Sequence, residues 1–374
     1  MSPAGTFKLA GLRLAPALHM RPAMTTTTTT LAPLFAALSC SLFAACAEPG
    51  LEEVGLDPAE ASADLDGKSD GAVSQQPDVR CTTAPSAGSA TRWRHTSSAA
   101  IAIATPNHRG FDLIASSADA TQVIAGEVSY GLADKALEDE KVELFACRAG
   151  AWKLVGSART DDEGGFRVAL TGANRLPVGL RDMYVSVQGD RSGARFLALV
   201  ATAGTKLVVS DVDGTLTSSE NAFPEALVTD TSVAVHPGAP AAFNQLALRG
   251  YQPIYVTARG DLFTGATRGW LTAVGMPRGP MRLAPHRITL PGSPTVAFKS
   301  GVLDELEAAG LDVAVGIGNR GSDIEAYTHA GVAPGSILIK LPEFRGEVAE
   351  ALTAQRAVGF ASYGDLAPLI AALR

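Results

Sequence analysis

The sequence predicts an α/β domain built on a parallel sheet with helices on both faces, preceded by an all-β sandwich. Three observations predict it. Between residues 123 and 202, short segments with partial apolar alternation recur every 8–15 residues, separated by turn signals. From Lys206 onward the pattern changes to continuous apolar strands alternating with helical stretches. Upstream of residue 95 the chain carries neither pattern.

Residues 31–45 form a 15-residue apolar stretch with Arg21 upstream and Ala44-Ala45 directly before Cys46. That length suits a signal peptide better than a membrane span. The run Leu42-Phe43-Ala44-Ala45-Cys46 resembles a bacterial lipobox, with Phe43 where Leu, Val or Ile is usual. The resemblance implies cleavage before Cys46, diacylation of that cysteine and attachment to a membrane; a signal without lipid and a buried apolar helix are the alternatives. Ala47 is not the Asp associated with inner-membrane retention, so the resemblance implies the outer membrane of a Gram-negative bacterium. Residues 46–94 read as an acidic disordered linker: 47–80 hold nine acids against Lys68 and Arg80, and self-repelling charge keeps such a segment extended. Four cysteines then separate. Cys40 lies in the signal and Cys46 is the lipidation site, leaving Cys81 and Cys147 as an even pair that can form a disulfide in an exported protein.

Residues 95–205 supply the sandwich. The segments VIAGEVSYG, KVELFAC, WKLVGSART, GFRVAL, DMYVSVQG and FLALVAT are its strands, and this spacing is that of an immunoglobulin-like domain. Asp161-Asp162-Glu163-Gly164-Gly165 is the clearest hairpin turn, because glycine supplies a positive φ. Trp152, Phe166 and Tyr184 are expected in the core, and His95 and His108 at the surface.

Residues 206–374 form the α/β domain. Strands are expected at 206–210, 253–256, 313–317 and 337–339, and helices at 237–248, 261–274 and 294–309, each followed by glycine. Ligands bind beyond the carboxyl ends of such strands. Asp211, Asp213, Thr257 and Asp323 all fall there. The spacing fits attack on a phosphate monoester, an anion that a carboxylate can approach only when cations neutralise it. Asp211 is the expected nucleophile, forming an aspartyl-phosphate. Asp213 is placed to protonate the leaving oxygen and then to activate water. Thr257 offers a hydroxyl to phosphate oxygens and Lys299 a point charge. Asp211, the Asp213 carbonyl and Asp323 can give Mg²⁺ the oxygen ligands it prefers. Gly214, Thr215, Ala258, Arg259 and Asn319 are candidates for binding the substrate. Arg259, Arg268 and Arg320 are either headgroup contacts or helix-surface charges.

These residues carry a family resemblance. The segment DVDGT resembles the first motif of the haloacid-dehalogenase-like (HAD-like) phosphohydrolases, which share a Rossmann-like parallel sheet; Thr257, Lys299 and Asp323 stand in order at the positions of its other three motifs. The longer blocks DVDGTLTSSE, PIYVTARGDLFTGATRGWL, MPRGPMRLAP, AFKSGVLDEL and GNRGSDIEAYTHAGV resemble the lipin-type catalytic domain, over about residues 204–345. That resemblance implies a Mg²⁺-dependent phosphatidate phosphatase. Related domains in phosphatidylinositol-transfer-type proteins have lost the acidic motif and only sense phosphatidate. Asp211 and Asp213 are both retained here, which favours the catalytic branch.

The composition agrees and excludes other classes. With 46% hydrophobic and 18% charged residues the chain is neither disordered throughout nor a coiled coil. Residues 81–374 carry 26 basic and 29 acidic residues, too balanced for a nucleic-acid binder. Neither gap between Asp213, Thr257 and Lys299 holds a large cap domain, so an open site is expected. The partners expected are phosphatidate or another phosphomonoester, and a membrane through the lipid anchor. A phosphatase for a soluble phosphomonoester or phosphoprotein, and a phosphatidate-binding module without turnover, are the alternatives.

Overall fold

The computed structural model describes residues 77–131, 133–223, 232–285 and 292–373. The signal segment, Cys46 and residues 46–76 of the acidic segment lie outside them.

The first part of the chain builds β1 (Asp78–Val79), α1 (Thr96–Ile101), β2 (Arg109–Phe111), β3 (Leu113–Ser116), β4 (Thr121–Glu127), β5 (Ser129–Tyr130), β6 (Lys135–Ala136), β7 (Lys141–Arg148), β8 (Ala151–Arg159), β9 (Gly165–Thr171), β10 (Gly179–Val187) and β11 (Gly193–Ala201). One sheet runs β3-β11-β10-β7-β8, with β1 beside β10; the other is β2-β4-β9. The strict alternation in β9 buries Phe166, Val168 and Leu170 and exposes the residues between them. Those side chains meet Ile124, Leu144, Met183, Val185 and Phe196 in one core between the sheets. This is the β-sandwich expected from the strand spacing.

The second part builds β12 (Lys206–Ser210), α2 (Ala239–Leu248), β13 (Gln252–Gly260), α3 (Thr264–Ala273), β14 (Met281–Ala284), α4 (Ser293–Ala308), β15 (Asp312–Gly318), α5 (Gly321–His329), β16 (Ile337–Lys340), α6 (Arg345–Thr353), β17 (Val358–Phe360) and α7 (Ala367–Ala372). Six strands lie parallel in the order β14-β13-β12-β15-β16-β17. Leu207 and Val209 face α4, α5 and α6, while Val208 faces α2, α3 and α7, so helices cover both faces. The chain steps from β12 to β13 and β14 on one side and returns to lay β15 on the other. The carboxyl end of β12 is therefore a topological switch point, where open α/β sheets bind ligands.

The two sheet systems share apolar contacts. In β11 the residues Phe196, Ala198 and Val200 enter the sandwich core, and Leu197, Leu199 and Ala201 enter the core of the α/β part. That explains why FLALVA lacks polar alternation. A polar contact adds to this junction. Asp112, between β2 and β3, accepts hydrogen bonds from the backbone N–H of Leu197 and of Met281, both at 2.7 Å. The Arg268 guanidinium of α3 donates to both its oxygens at 2.7 and 2.9 Å. Arg268, a possible headgroup contact from the sequence, is thus taken up by the domain junction.

Other expectations need correction. Trp152 and Tyr184, expected in the core, are only partly buried and pack edge-on against each other with ring centres 6.0 Å apart. The disordered linker was expected to reach residue 94, but residues 77–94 are fixed on the sandwich. A disulfide joins Cys81 to Cys147, with Cα atoms 5.8 Å apart. Trp152 Nε1 donates to Thr83 O at 2.7 Å, and the N–H groups of Arg94 and His95 donate to Glu140. A cross-link and side chain–backbone bonds hold this segment, and neither leaves an apolar period to read. His108 was expected at the surface. It packs edge-on against Tyr130, with Nε2 2.8 Å from Ser192 Oγ, and burial takes its pKa down to about 4. His95, by contrast, pairs with Asp139 at a solvent-accessible site.

Asp112→Ala should destabilise the chain by about 3–5 kcal/mol, because it leaves Arg268 and two buried N–H groups without their acceptor. Urea unfolding of the variant against wild type measures this; a loss below ~1 kcal/mol contradicts the role given to the junction.

Candidate active site

The site grows out of the end of β12. Asp211 N–H still donates to Ile317 O of β15 at 2.9 Å, so the sheet ladder fixes the Asp211 backbone. The chain then turns through Gly214 at φ 68°, and Gly214 N donates to Thr217 Oγ1 at 2.8 Å. A Cβ on Gly214 would strike the Asn319 side-chain amide, so glycine is required there for space as well as for φ.

Three buried charges stand at the centre. Lys299 Nζ, from the first turns of α4, donates to Asp211 Oδ1 at 2.7 Å and to Asp323 Oδ1 at 2.5 Å. Thr215 Oγ1 donates to Asp211 Oδ2 at 3.1 Å. Asp323 Oδ2 accepts the N–H groups of Asn319 and Arg320, both at 3.0 Å, which caps the start of α5. Burial is the largest influence on Asp211 and pushes its carboxyl up to about 8 against the pull of Lys299, with Asp323, Glu220 and Asp213 adding to the rise. Burial alone would lower the Lys299 ammonium, but Asp211 and Asp323 outweigh it and hold it above its ordinary value. The 2.7 and 2.5 Å contacts support a charged lysine.

Asp213 is held separately. Thr257 Oγ1 donates to its Oδ2 at 3.0 Å, Arg259 Nε to the same oxygen at 2.9 Å, and Arg259 Nη2 to Oδ1 at 2.6 Å. The Arg259 guanidinium lies 3.8 Å from the centre of the Phe223 ring and donates to Thr267 Oγ1 at 3.1 Å. A bidentate pair of this kind fixes the plane as well as the position of a carboxylate.

Asp211, Asp213, Ala258, Lys299, Asn319 and Arg320 line an open pocket of about 930 Å³. The structure therefore brings together most of the residues singled out in the sequence, but not all in the expected roles. Thr257 and Arg259, expected on the substrate, are buried and turned onto Asp213. Thr215 is fully buried and orients Asp211, and Gly214 makes room for Asn319. Arg320 pairs with Glu347 at 3.0 Å and lies over the Phe344 ring. One residue was missed. Glu220, at the end of TSSE, lines the pocket and accepts from Asn319 Nδ2 at 3.1 Å, and burial raises its carboxyl. Its signal was present in the quoted motif, but the glutamate sits outside the strand end where ligands were sought.

The residues fit a magnesium ion. Asn319 Oδ1 is buried on the pocket wall and accepts no hydrogen bond. It stands beside carboxylates that outnumber their lysine, and hard oxygen donors are the set Mg²⁺ takes. Among the described residues no three Asp, Glu, His or Cys side chains converge as a ready-made metal cluster. The ion would draw on amide and carbonyl oxygens as well.

Comparison with known proteins agrees with this architecture. Residues 208–340 match the family model described as the LNS2 domain of PITM 1-3, and residues 106–200 match that of the PITM 1-3 beta-sandwich domain. The chain carries a HAD-like LNS2 domain behind a PITM-type β-sandwich. It is similar to human membrane-associated phosphatidylinositol transfer protein 1, with 26% identity over 239 residues, which are 63% of this chain and 18% of that protein. Drosophila melanogaster protein retinal degeneration B is 26% identical over 238 residues, 62% of this chain and 18% of its own. The chain thus spans under a fifth of the length of these relatives. A HAD family hydrolase from Salmonella enterica aligns over 48% of this chain and 76% of its own, with 12% identity and a TM-score of 0.32.

Lys299→Met should cost the LNS2 domain about 3–5 kcal/mol, since two buried carboxylates lose their cation. Adding Asp323→Asn should recover part of the loss, with a coupling of about 1 kcal/mol or more in a double-mutant cycle by urea unfolding. Additive losses would show that the lysine and Asp323 do not act as one unit.

Proposed function

We propose that the LNS2 domain hydrolyses a phosphomonoester through an aspartyl-phosphate on Asp211, with phosphatidate or a related phospholipid as substrate. The observation that carries this reading is the orientation of Asp211. Lys299 and Thr215 hold its two oxygens at the wall of an open pocket that Asp213 also lines.

In the first step an Asp211 oxygen attacks phosphorus and the bond to the leaving oxygen breaks. Asp213 gives that oxygen a proton. In the second step water attacks the phosphorus of the acyl phosphate, Asp213 takes the proton from the water, and Asp211 is released with inorganic phosphate. Thr257 and Arg259 act as positioning residues that aim Asp213. Asp211, the Asp213 carbonyl, Asp323 and Asn319 Oδ1 would hold Mg²⁺, which would supply the positive charge that lets an anionic carboxylate approach an anionic phosphate. The open pocket supports a bulky substrate, and the names of the relatives, as phosphatidylinositol transfer proteins, support a phospholipid.

A second reading is a phospholipid-binding module without turnover. The same relatives favour it, as does the grip of Arg259 on Asp213, which occupies both oxygens of the group that must act as acid. The retention of both aspartates favours catalysis. A soluble phosphomonoester would use the same chemistry. We further propose that the chain is exported and held at a membrane through a lipid on Cys46, in a Gram-negative source at the outer membrane. Among the described residues no helix is long and apolar enough to cross a membrane.

Asp211→Asn should abolish phosphate release from phosphatidate vesicles, and Asp213→Asn should reduce it by about 10²–10⁴-fold. Chelation should stop the reaction and added Mg²⁺ restore it. Unchanged rates in both variants would sink the phosphatase reading. Mass spectrometry of the mature N-terminus tests the anchor: the expected start is a diacylated Cys46, and an unmodified start elsewhere removes it.

A further inference from the structure

A second cleft, of about 790 Å³, runs between the sandwich and the LNS2 domain. Its walls include Phe111, Ile114 and Val123 from the sandwich, and Leu283, Phe298 and Val302 from the LNS2 domain. Val123 is 43% exposed, one of few large apolar side chains left so open among the described residues. From these positions we infer that the cleft takes the acyl chain of a lipid whose phosphate sits at Asp211. This inference rests on the phosphate site proposed above and adds the apolar part of the ligand.

Helix α4 joins the two sites. Residues 297, 298, 301, 302 and 305 form one stripe of the helix and line the cleft. Thr295, Val296 and Lys299 line the pocket that contains Asp211. Ala297 borders both, and it is solvent-exposed. The pocket and the cleft are therefore neighbours across one alanine at the start of one helix. A ligand whose anionic end lies against Lys299 has the apolar side chains of Phe298, Val302 and Leu283 beyond Ala297, in a cleft that Arg167, Arg282 and Glu305 also line. An alkyl chain attached to a phosphate matches that order of chemistry: charge first, then hydrocarbon.

The helix also keeps the cleft open at a cost to itself. Gly301 is the ninth of sixteen residues in α4, and glycine destabilises a helix interior relative to alanine. A Cβ built there meets no atom within 4 Å. Packing against protein does not explain this glycine, since a larger side chain would fit. Gly301 lines the cleft, so a larger side chain there would narrow it.

Alkylphosphonates test this directly, because their phosphorus–carbon bond is not hydrolysed and binding is read without turnover. Methyl-, butyl-, hexyl- and octylphosphonate would be titrated into the full chain with Mg²⁺ by calorimetry. The expected wild-type series tightens by at least about threefold for each two carbons from butyl onward, as burial of methylenes requires. Gly301→Leu should flatten the series to within about twofold while its melting midpoint stays at or above that of wild type, since leucine favours helix over glycine. Val123→Glu, at the open wall of the cleft, should weaken octylphosphonate most and methylphosphonate least. A flat wild-type series, or a gradient that survives both substitutions, overturns the cleft. A chain gradient without hydrolysis of phosphatidate keeps the cleft and sinks the phosphatase; hydrolysis with a flat series does the reverse. Failure of every phosphonate to bind overturns the cleft, and overturns the phosphatase with it when phosphatidate is not hydrolysed either.

Discussion

The Lys299 ammonium between Asp211 and Asp323 is the contact on which the rest of the site depends. Two carboxylates buried at the end of a sheet are unstable without a cation, and one lysine satisfies them only in part. The chain meets this demand from separate elements. The sheet ladder fixes the Asp211 backbone, the N–H groups at the start of α5 take one oxygen of Asp323, and α4 brings the lysine between them. Asp213 is neutralised independently by Arg259. What remains is a pocket whose acids, with Glu220, exceed its lysine, beside an amide oxygen that has no donor. That is an environment prepared for added positive charge, and the proposed magnesium chemistry follows from it.

The sandwich is part of the same construction. Because β11 is buried on both faces, its outer residues are core residues of the LNS2 domain, and Asp112 ties the two parts through Arg268 and Met281. The cleft proposed for an acyl chain exists only because the two parts are held together at this distance. On this proposal the β-sandwich has a role beyond spacing: it supplies one wall of the cleft whose other wall is the helix that carries Lys299.

The sequence made the architecture legible where a physical period existed. The alternation of β9 and the continuous runs of β12 and β15 gave their strands directly, and the position of Asp211 after such a run placed it at the switch point. Edge strands β14 and β17, of four and three residues, are too short to carry a period. The segment 77–94 is held by a disulfide and by backbone acceptors, which also leave none. At the site, Asp211, Asp213, Lys299 and Asp323 were found because they bear charge at strand ends or stand at motif positions. The direction in which Thr257, Arg259 and Thr215 point was not legible. Each can reach a substrate or a neighbouring aspartate, and only the packed geometry, with Phe223 beneath the guanidinium and the interior around Thr215, turns them inward.

The central claim is that the Asp211 carboxylate attacks phosphorus rather than merely lying near it. Rapid acid quench of the full chain during reaction with phosphatidate labelled in its phosphate tests this most directly. The account predicts that label becomes attached to the peptide containing Asp211, is released by hydroxylamine as an acyl phosphate must be, and is lost in the next moments of turnover as free phosphate. Saturable binding of the labelled lipid in the presence of Mg²⁺, with no label on the protein and no phosphate released, would contradict it and leave a domain that only recognises its ligand.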